Sequence, residues 1–163
     1  MKYFFASLFL LVSIQFVGAQ VATDSALFLT MEKQDSLLFE RGFNQCDMTY
    51  LESISHKDLK AYYEEGEAQS REKFFEDVRK YHCEDAKKSI RKVDPKSLEV
   101  FSLYDNGVLY GAVQSGSISL YQQEPGKPDV LTGTSKFTHV WLLENGKWLL
   151  KEVMSFSYQE VKK

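Results

Sequence analysis

The stretch KFTHVWLLENGKWLLKEVMSFSY, residues 136–158, carries the clearest fold signal of the chain. Two apolar runs flank Asn145-Gly146, a dipeptide typical of a two-residue hairpin turn because both turn positions need a positive φ. A turn at these residues predicts that His139 faces Glu152, on the same strand face as Trp141. The stretch therefore predicts a β-hairpin with an ionisable pair inside a wall of large hydrophobic side chains. The same register predicts four further facing pairs: Glu144 with Lys147, Leu143 with Trp148, Trp141 with Leu150, and Phe137 with Met154.

The first nineteen residues have the features of a secretory signal peptide. Lys2 gives a positive start, Phe4 to Val17 is an apolar run of secretory length, and small residues ending at Ala19 provide a cleavage site. The run is short and no basic stop-transfer cluster follows it, so we expect cleavage rather than a membrane anchor. The prediction is a signal peptide at 1–19 and an exported protein, periplasmic or secreted, at 20–163.

The composition of the remaining chain suits one globular domain and argues against nucleic acid as a partner. Loss of Lys2 with the leader leaves 19 basic against 23 acidic residues, a formal charge of −4. Nucleic-acid binding normally requires a basic patch or stripe, and the sequence has none. The chain is 44% hydrophobic and 14% aromatic, which is enough to fill a core and also to line a pocket.

Cys46 and Cys83 are the only cysteines of the chain. In an exported protein an isolated pair is more often a disulfide than a metal site or a nucleophile. Two cysteines supply too few ligands for structural zinc, and His56 and His82 show no ligand spacing to each other. We therefore expect a Cys46–Cys83 disulfide and no metal.

The order of the predicted elements indicates an α+β fold. Helical patterns cover Thr23–Phe43, Asp47–Ser55 and a segment that Ser70 caps and Cys83 closes, with a strand at Asp58–Glu65 among them. From Leu98 to the end, the chain has the alternation and turns of successive strands. Such an order predicts three N-terminal helices packed on a strongly curved, mainly antiparallel sheet in a single domain, residues 20–163.

Asp35 interrupts the apolar stripe of the first predicted helix, four residues after Met31 and three before Leu38. A carboxylate at that angle either reaches solvent at the edge of the stripe or points into a cavity. The sequence leaves both possibilities open.

Four stretches together resemble the nuclear transport factor 2-like superfamily, whose cystatin-like cone is shared by ketosteroid isomerase and SnoaL-like cyclases. The resemblance extends over the whole mature chain and is strongest to an exported bacterial branch of unknown function. It implies a pocket between the concave face of the sheet and the helices. The stretches are DSLLFERGFNQCD at 35–47, the aromatic strand ending at Gly66, GAVQSG at 111–116 and TSKFTHVWLLENGKWLLKEV at 134–153.

The first functional hypothesis is a domain without catalytic activity whose cone binds a small, largely apolar molecule. Similar proteins tend to carry His-Asp where this chain has Tyr63-Glu64, and a more polar ending where it has SFSY at 155–158. A catalytic member would be expected to hold its acid or base at those positions, so the resemblance does not carry an activity over. The candidate ligand-binding residues are Asp35, Tyr63, His139, Trp141 and Glu152.

The alternative hypothesis is a cofactor-independent isomerase or dehydratase of the ketosteroid-isomerase or SnoaL type. Proton transfer beside a carbonyl needs a base in a dry pocket and a donor for the developing oxyanion. His139 would be the base, Glu152 would orient it, and Tyr63 would be the donor. The same His139 and Glu152 also fit a purely structural pair in the sheet.

The other face of the hairpin suggests a third role, a homodimer interface. Val140, Leu142, Leu149 and Val153 are predicted to lie there, interleaved with polar residues. A half-apolar outer face of a sheet often becomes an interface, although scattered exposed hydrophobic residues are also normal.

Overall fold

The computed structural model describes residues 20–84 and 88–162. The predicted signal peptide lies outside the described residues. Three helices, two of them extended by π-helical turns, precede most of the sheet: α1 (Ala26–Leu37, extended by Leu38–Asn44), α2 (Met48–Ser53) and α3 (Arg71–Val78, extended by Arg79–Cys83). The strands are β1 (Ser55–Tyr63), β2 (Gln69–Ser70), β3 (Lys88–Val93), β4 (Glu99–Asp105), β5 (Val108–Gln123), β6 (Val130–Glu144) and β7 (Lys147–Glu160).

The predicted caps of the second and third helices are confirmed, whereas α1 begins at Ala26 with Ser25 as its cap, three residues after the predicted start at Thr23. The side chain of Asp47 accepts a hydrogen bond from the backbone of α2, and Ser70 does the same for α3. Cys46 follows the extended α1 and Cys83 ends the extended α3, and the two form the predicted disulfide. The cross-link therefore ties the ends of the two longest helical segments together.

One seven-stranded sheet provides the platform for the helices. Its strands lie in the order β2-β1-β7-β6-β5-β3. On the free edge of β5, β4 pairs with the first half of the strand and β3 pairs with the second half. All pairings are antiparallel except that of β1 with β7. The three central strands are each 14 to 16 residues long and contain register shifts, which bend a sheet. The predicted α+β class and mainly antiparallel sheet are confirmed.

The hairpin turn lies at the predicted residues. Asn145 has φ of 50° and Gly146 has φ of 76°, the two positive values that this turn requires. Farther from the turn, Phe137 faces Ser155 instead of Met154. Close to the turn, three predicted pairs are confirmed: Glu144 with Lys147, Leu143 with Trp148, and Trp141 with Leu150.

The prediction that His139 faces Glu152 is wrong, because β7 contains one additional residue. Lys151 forms a β-bulge, beyond which His139 pairs with Val153. A shift of one residue turns every later side chain to the opposite face of the sheet. Val153 therefore lies in the core with 6% of its surface exposed, whereas Glu152 is half-buried opposite Val140 on the outer face.

The contacts of Lys151 give a physical reason for the bulge. Its Nζ lies 3.7 Å from Oδ2 of Asp58 and 3.3 Å from Nδ1 of His56, both on β1. The register of β1 against β7 is itself irregular between Ser55 and Lys60, directly beside these contacts. The additional residue thus brings an amine to an acidic and imidazole-containing edge of the neighbouring strand.

Candidate functional site

The buried ionisable pair of the cone joins His139 to Asp35 rather than to Glu152. Oδ1 of Asp35 and Nδ1 of His139 are 3.5 Å apart, within ion-pair range, although neither atom makes a hydrogen bond in the described part of the chain. The two residues are 1% and 2% exposed. Burial raises the pKa of Asp35, and the His139 ring opposes part of that rise. Asp35 therefore points inward, the second of the two orientations that the sequence left open.

The surroundings of this pair are packed. The ring centroid of His139 lies 4.7 Å from that of Phe137 and 5.8 Å from that of Phe39. Trp141 is fully buried, and its indole N–H donates to Oε1 of Gln114 at 3.0 Å. The predicted hydrophobic wall exists, but it is part of the filled core.

The remaining predicted site residues lie elsewhere. Glu152 is on the outer face, and Tyr63 ends β1 with 42% of its surface exposed. The structure therefore brings Asp35, His139 and Trp141 together in the interior and separates both Tyr63 and Glu152 from them.

A cavity of about 640 Å³ opens where the concave face of the sheet reaches solvent. We call it the mouth cavity. Its walls come from β1, β3, β5, β6 and β7 and from the two residues after β1, so that inward-facing positions of five strands converge on it. The lining residues are Tyr63, Glu64, Glu65, Arg91, Ile118, Leu120, Ser135, Ser155 and Tyr158.

A second irregularity of β7 positions Tyr158 at the mouth cavity. Ser157 has φ of 56°, which is unusual for a residue other than glycine and accompanies a register shift against β6. The backbone N–H of Tyr158 donates to Oε2 of Glu64 at 3.0 Å, and its ring lies directly over Gly133. A Cβ on Gly133 would lie 2.6 Å from Cε2 of Tyr158, so only glycine leaves room for the ring.

Arg91 provides the positive charge of the mouth cavity. Asn44 fixes its backbone with two hydrogen bonds of 2.8 Å, one donated to the Arg91 carbonyl and one accepted from its N–H. Its guanidinium lies 4.7 Å above the ring of Phe43, and Nη2 lies 3.0 and 3.2 Å from the ring nitrogens of His82. Burial lowers the pKa of Arg91 to about 10. Burial and, secondarily, the charge of Arg91 lower the pKa of His82 to about 4, so this imidazole is neutral at pH 7 and accepts from the guanidinium.

A second cavity, of about 590 Å³, lies between α1 and the segment from β3 to Leu98. We call it the helix cleft. Apolar residues such as Leu29 and Val93 line it together with charged side chains, among them Glu32 and Lys33, and Asp35 reaches its wall. Because Asp35 is 1% exposed, the cleft gives little access to the buried pair.

Arg91, His82 and Tyr158 are among the site residues that the sequence did not identify. Arg91 lies in a basic segment with no apolar alternation to define its inward face, and His82 lies in a π-helical turn. For Tyr158 a signal existed, because the SFSY ending replaces a polar stretch in similar proteins. Among the described residues, no group of three His, Cys, Asp or Glu side chains is arranged to hold a metal ion.

Comparison with known proteins establishes the fold. No family model matches the sequence, and no curated protein matches it. Solved structures do match. An NTF2-like protein from Cytophaga hutchinsonii is 18% identical with a TM-score of 0.59, over 80% of this chain and 97% of that one. The CaMKII hub homology domain of Chlamydomonas reinhardtii is 16% identical with a TM-score of 0.60, over 85% and 99%.

ActVI-ORFA from Streptomyces coelicolor is similar over 81% of this chain and 97% of its own, with 12% identity and a TM-score of 0.62. The curved sheet covered by N-terminal helices therefore defines a protein of the cystatin-like α+β class. More narrowly, the chain has the nuclear transport factor 2-like fold, as its sequence resemblance predicted. At sequence identities this low, the structural similarity establishes the fold alone, and the function has to be inferred from the chain's own residues.

Proposed function

We propose that this chain is an exported domain that binds a small, largely apolar molecule in the mouth cavity and has no catalytic activity. The observation that carries the proposal is the mouth cavity itself. Its 640 Å³ falls within the range of small-molecule sites, and such sites combine apolar walls with a few placed polar groups. Ile118, Leu120 and the ring of Tyr158 supply the walls, and Tyr63 and Arg91 supply polar groups.

Access argues against the alternative of an isomerase or dehydratase. In the described chain, Asp35 and His139 are the only acid–base pair within ion-pair distance in which both residues are buried. They are 1% and 2% exposed and lie among packed aromatic rings. At the mouth cavity the carboxylates are Glu64 and Glu65, both exposed, and Glu64 already accepts from the backbone of Tyr158. Proton abstraction beside a carbonyl needs a base in a dry site, and neither Glu64 nor Glu65 is shielded from solvent.

The disulfide supports export of the protein. The Cys46–Cys83 disulfide suits an oxidising compartment, in agreement with the predicted signal peptide and a periplasmic or secreted location. In the described part of the chain, no helix has both the length and the apolar character that a membrane span requires.

The outer face of the sheet supports self-association. Val140, Leu142 and Leu149 lie half-buried on that face and suit a homodimer through the sheet, although the bulge has moved Val153 into the core.

Ligand binding is tested by native mass spectrometry and thermal-shift assays of residues 20–163 against steroids, fatty acids and aromatic compounds. We expect binding that Leu120→Trp weakens, because the larger side chain occupies part of the apolar wall of the mouth cavity. Leu29→Trp is the matched control, since it enlarges a leucine of the helix cleft instead. Loss of binding in Leu29→Trp alone, or no ligand in the whole set, would overturn the proposal.

The homodimer is tested by size-exclusion chromatography with light scattering. We expect a dimer for the wild type and a monomer for Leu142→Glu, because a charge on the outer face is incompatible with a buried interface. A wild type that remains monomeric at a protein concentration on the order of 0.5 mM would rule the interface out.

A further inference from the structure

We infer that the molecule bound in the mouth cavity carries a carboxylate, and that Arg91 is the residue that binds it. The inference rests on the proposed function and specifies its ligand. It is carried by the arrangement of the Arg91 guanidinium, which enters the cavity wall without an acidic partner.

The hydrogen bonding of Arg91 is incomplete. Nη2 contacts the neutral His82 ring, but Nη1 is inaccessible to solvent and has no hydrogen-bond partner among residues 20–84 and 88–162. The residue as a whole is only partly buried, and it lines both the mouth cavity and the helix cleft. A buried charged donor without a protein partner is costly, so such a group is normally satisfied by water, an ion or a bound molecule.

No carboxylate of the described chain neutralises Arg91. By contrast, Arg41 pairs with Asp47 and Arg79 pairs with Glu52, both at the surface. Glu64 and Glu65 line the same cavity but are exposed at its rim and form no ion pair with the guanidinium in the described structure. A small anion that enters the cavity therefore meets an uncompensated positive charge at its inner wall.

The neighbouring groups indicate which anion fits. A guanidinium offers two parallel N–H donors that match the two oxygens of a carboxylate. Partial burial raises the pKa of Tyr63, and its hydroxyl is a further donor at the cavity. Ile118, Leu120 and the ring of Tyr158 provide apolar surface for the rest of the molecule. The site thus suits an aromatic or aliphatic carboxylic acid.

Because Nη1 is inaccessible, we expect the Arg91 side chain to rotate when such a ligand binds. The rotation would break the contacts with His82, the only side-chain hydrogen bonds to the guanidinium in the described chain, and shift the guanidinium over the ring of Phe43. Asn44 meanwhile holds the backbone of Arg91 in place. Binding then exchanges an unsatisfied donor for a bidentate pair.

Matched acids and amides test the inference by isothermal titration. The probes are cinnamate, 1-naphthoate and decanoate, each compared with its primary amide, which has the same body and no charge. For the wild type we expect the acids to bind about 10- to 100-fold more tightly than the amides. Arg91→Met should remove this preference, because it weakens binding of the acids far more than binding of the amides. Arg91→Lys should retain part of it, because the charge remains and the fork is lost.

Lys96→Met is the control, since it removes one positive charge from an exposed turn outside the mouth cavity. It should bind the acids like the wild type. Equal affinity of acids and amides for the wild type would overturn the carboxylate inference and leave the proposed function standing. Absence of binding for both series would overturn the proposed function and, with it, this inference.

A second measurement does not depend on the apolar body. The imidazole signals of His82 are followed by NMR during titration with acetate or with acetamide. Acetate at Arg91 should raise the pKa of His82 above about 4, because the anion offsets the guanidinium charge. Acetamide should have no effect, and Arg91→Met should not respond to either. An unchanged pKa of His82 in saturating acetate would contradict an anion site at Arg91.

Discussion

Replacement of Arg91 by methionine should make the protein more stable while it removes the proposed carboxylate site. The charged guanidinium is disfavoured in the fold, since burial lowers its pKa from its ordinary value to about 10. This difference corresponds to at most about 3 kcal/mol of destabilisation at neutral pH, because one pH unit of pKa change is about 1.4 kcal/mol. The partial exposure of the side chain makes this figure an upper limit.

Methionine keeps the length of the side chain and has no donor to satisfy. The variant loses the hydrogen bond to His82 and the stacking on Phe43, each of which contributes about 0.5–1 kcal/mol. The expected net gain in the free energy of unfolding is therefore about 1–2 kcal/mol. With a urea m-value of about 2 kcal/mol/M, the unfolding midpoint should rise by about 0.5–1 M.

Urea denaturation followed by circular dichroism measures this gain. Arg41→Met is the matched control, because Arg41 lies at the surface and pairs with Asp47 at 2.7 Å. That variant should lose between 0 and about 1 kcal/mol. A midpoint for Arg91→Met below that of the wild type, at an unchanged m-value, would refute the reasoning, since it would mean that the guanidinium is satisfied in the folded protein.

Three further changes have defined outcomes. His82 is protonated near pH 6.5 in the unfolded protein and near pH 4 in the folded protein, so the free energy of unfolding should fall by up to about 3 kcal/mol as the pH is lowered across that interval. His82→Asn should flatten this pH dependence in urea titrations, and an unchanged pH dependence would contradict the assignment. Asp35→Asn should raise the melting temperature at pH 7, because burial disfavours the carboxylate, and the gain should shrink towards pH 4; a gain that does not depend on pH would argue against this cause. Gly133→Ala should cost about 1–3 kcal/mol and displace the ring of Tyr158, since the new Cβ would lie 2.6 Å from it; wild-type melting and an unchanged Tyr158 NMR spectrum would contradict that packing.

The sequence predicted those parts of the fold that depend on local chemistry. Asn145-Gly146 defines a turn by itself, because few dipeptides tolerate two positive φ angles. Asp47 and Ser70 are equally local signals, since each side chain caps a helix that begins at the next residue. The pairing of Cys46 with Cys83 followed from their number and the predicted export.

The candidate site was predicted only in part, because its geometry depends on contacts between distant segments. Lys151 forms a bulge through contacts with β1, about ninety residues earlier, and the surrounding sequence WLLKEVM at 148–154 does not by itself mark which residue is the additional one. The inward position of Arg91 depends on Asn44, which binds its backbone from the end of the extended α1. Tyr63 was identified as a pocket residue, whereas the partner of His139 was assigned to the wrong strand.

The bulge at Lys151 also affects how this chain is compared with others of the same fold. An ungapped alignment of β7 with a strand that lacks the additional residue places Glu152 at an inward column and Val153 at an outward one, the reverse of their positions here. Every residue from there to Ser157 would be assigned to the wrong side of the sheet. A one-residue gap at Lys151 restores the correspondence. Residues of this strand should therefore be matched to those of related proteins by the face of the sheet that they occupy, and only secondarily by their position in the sequence.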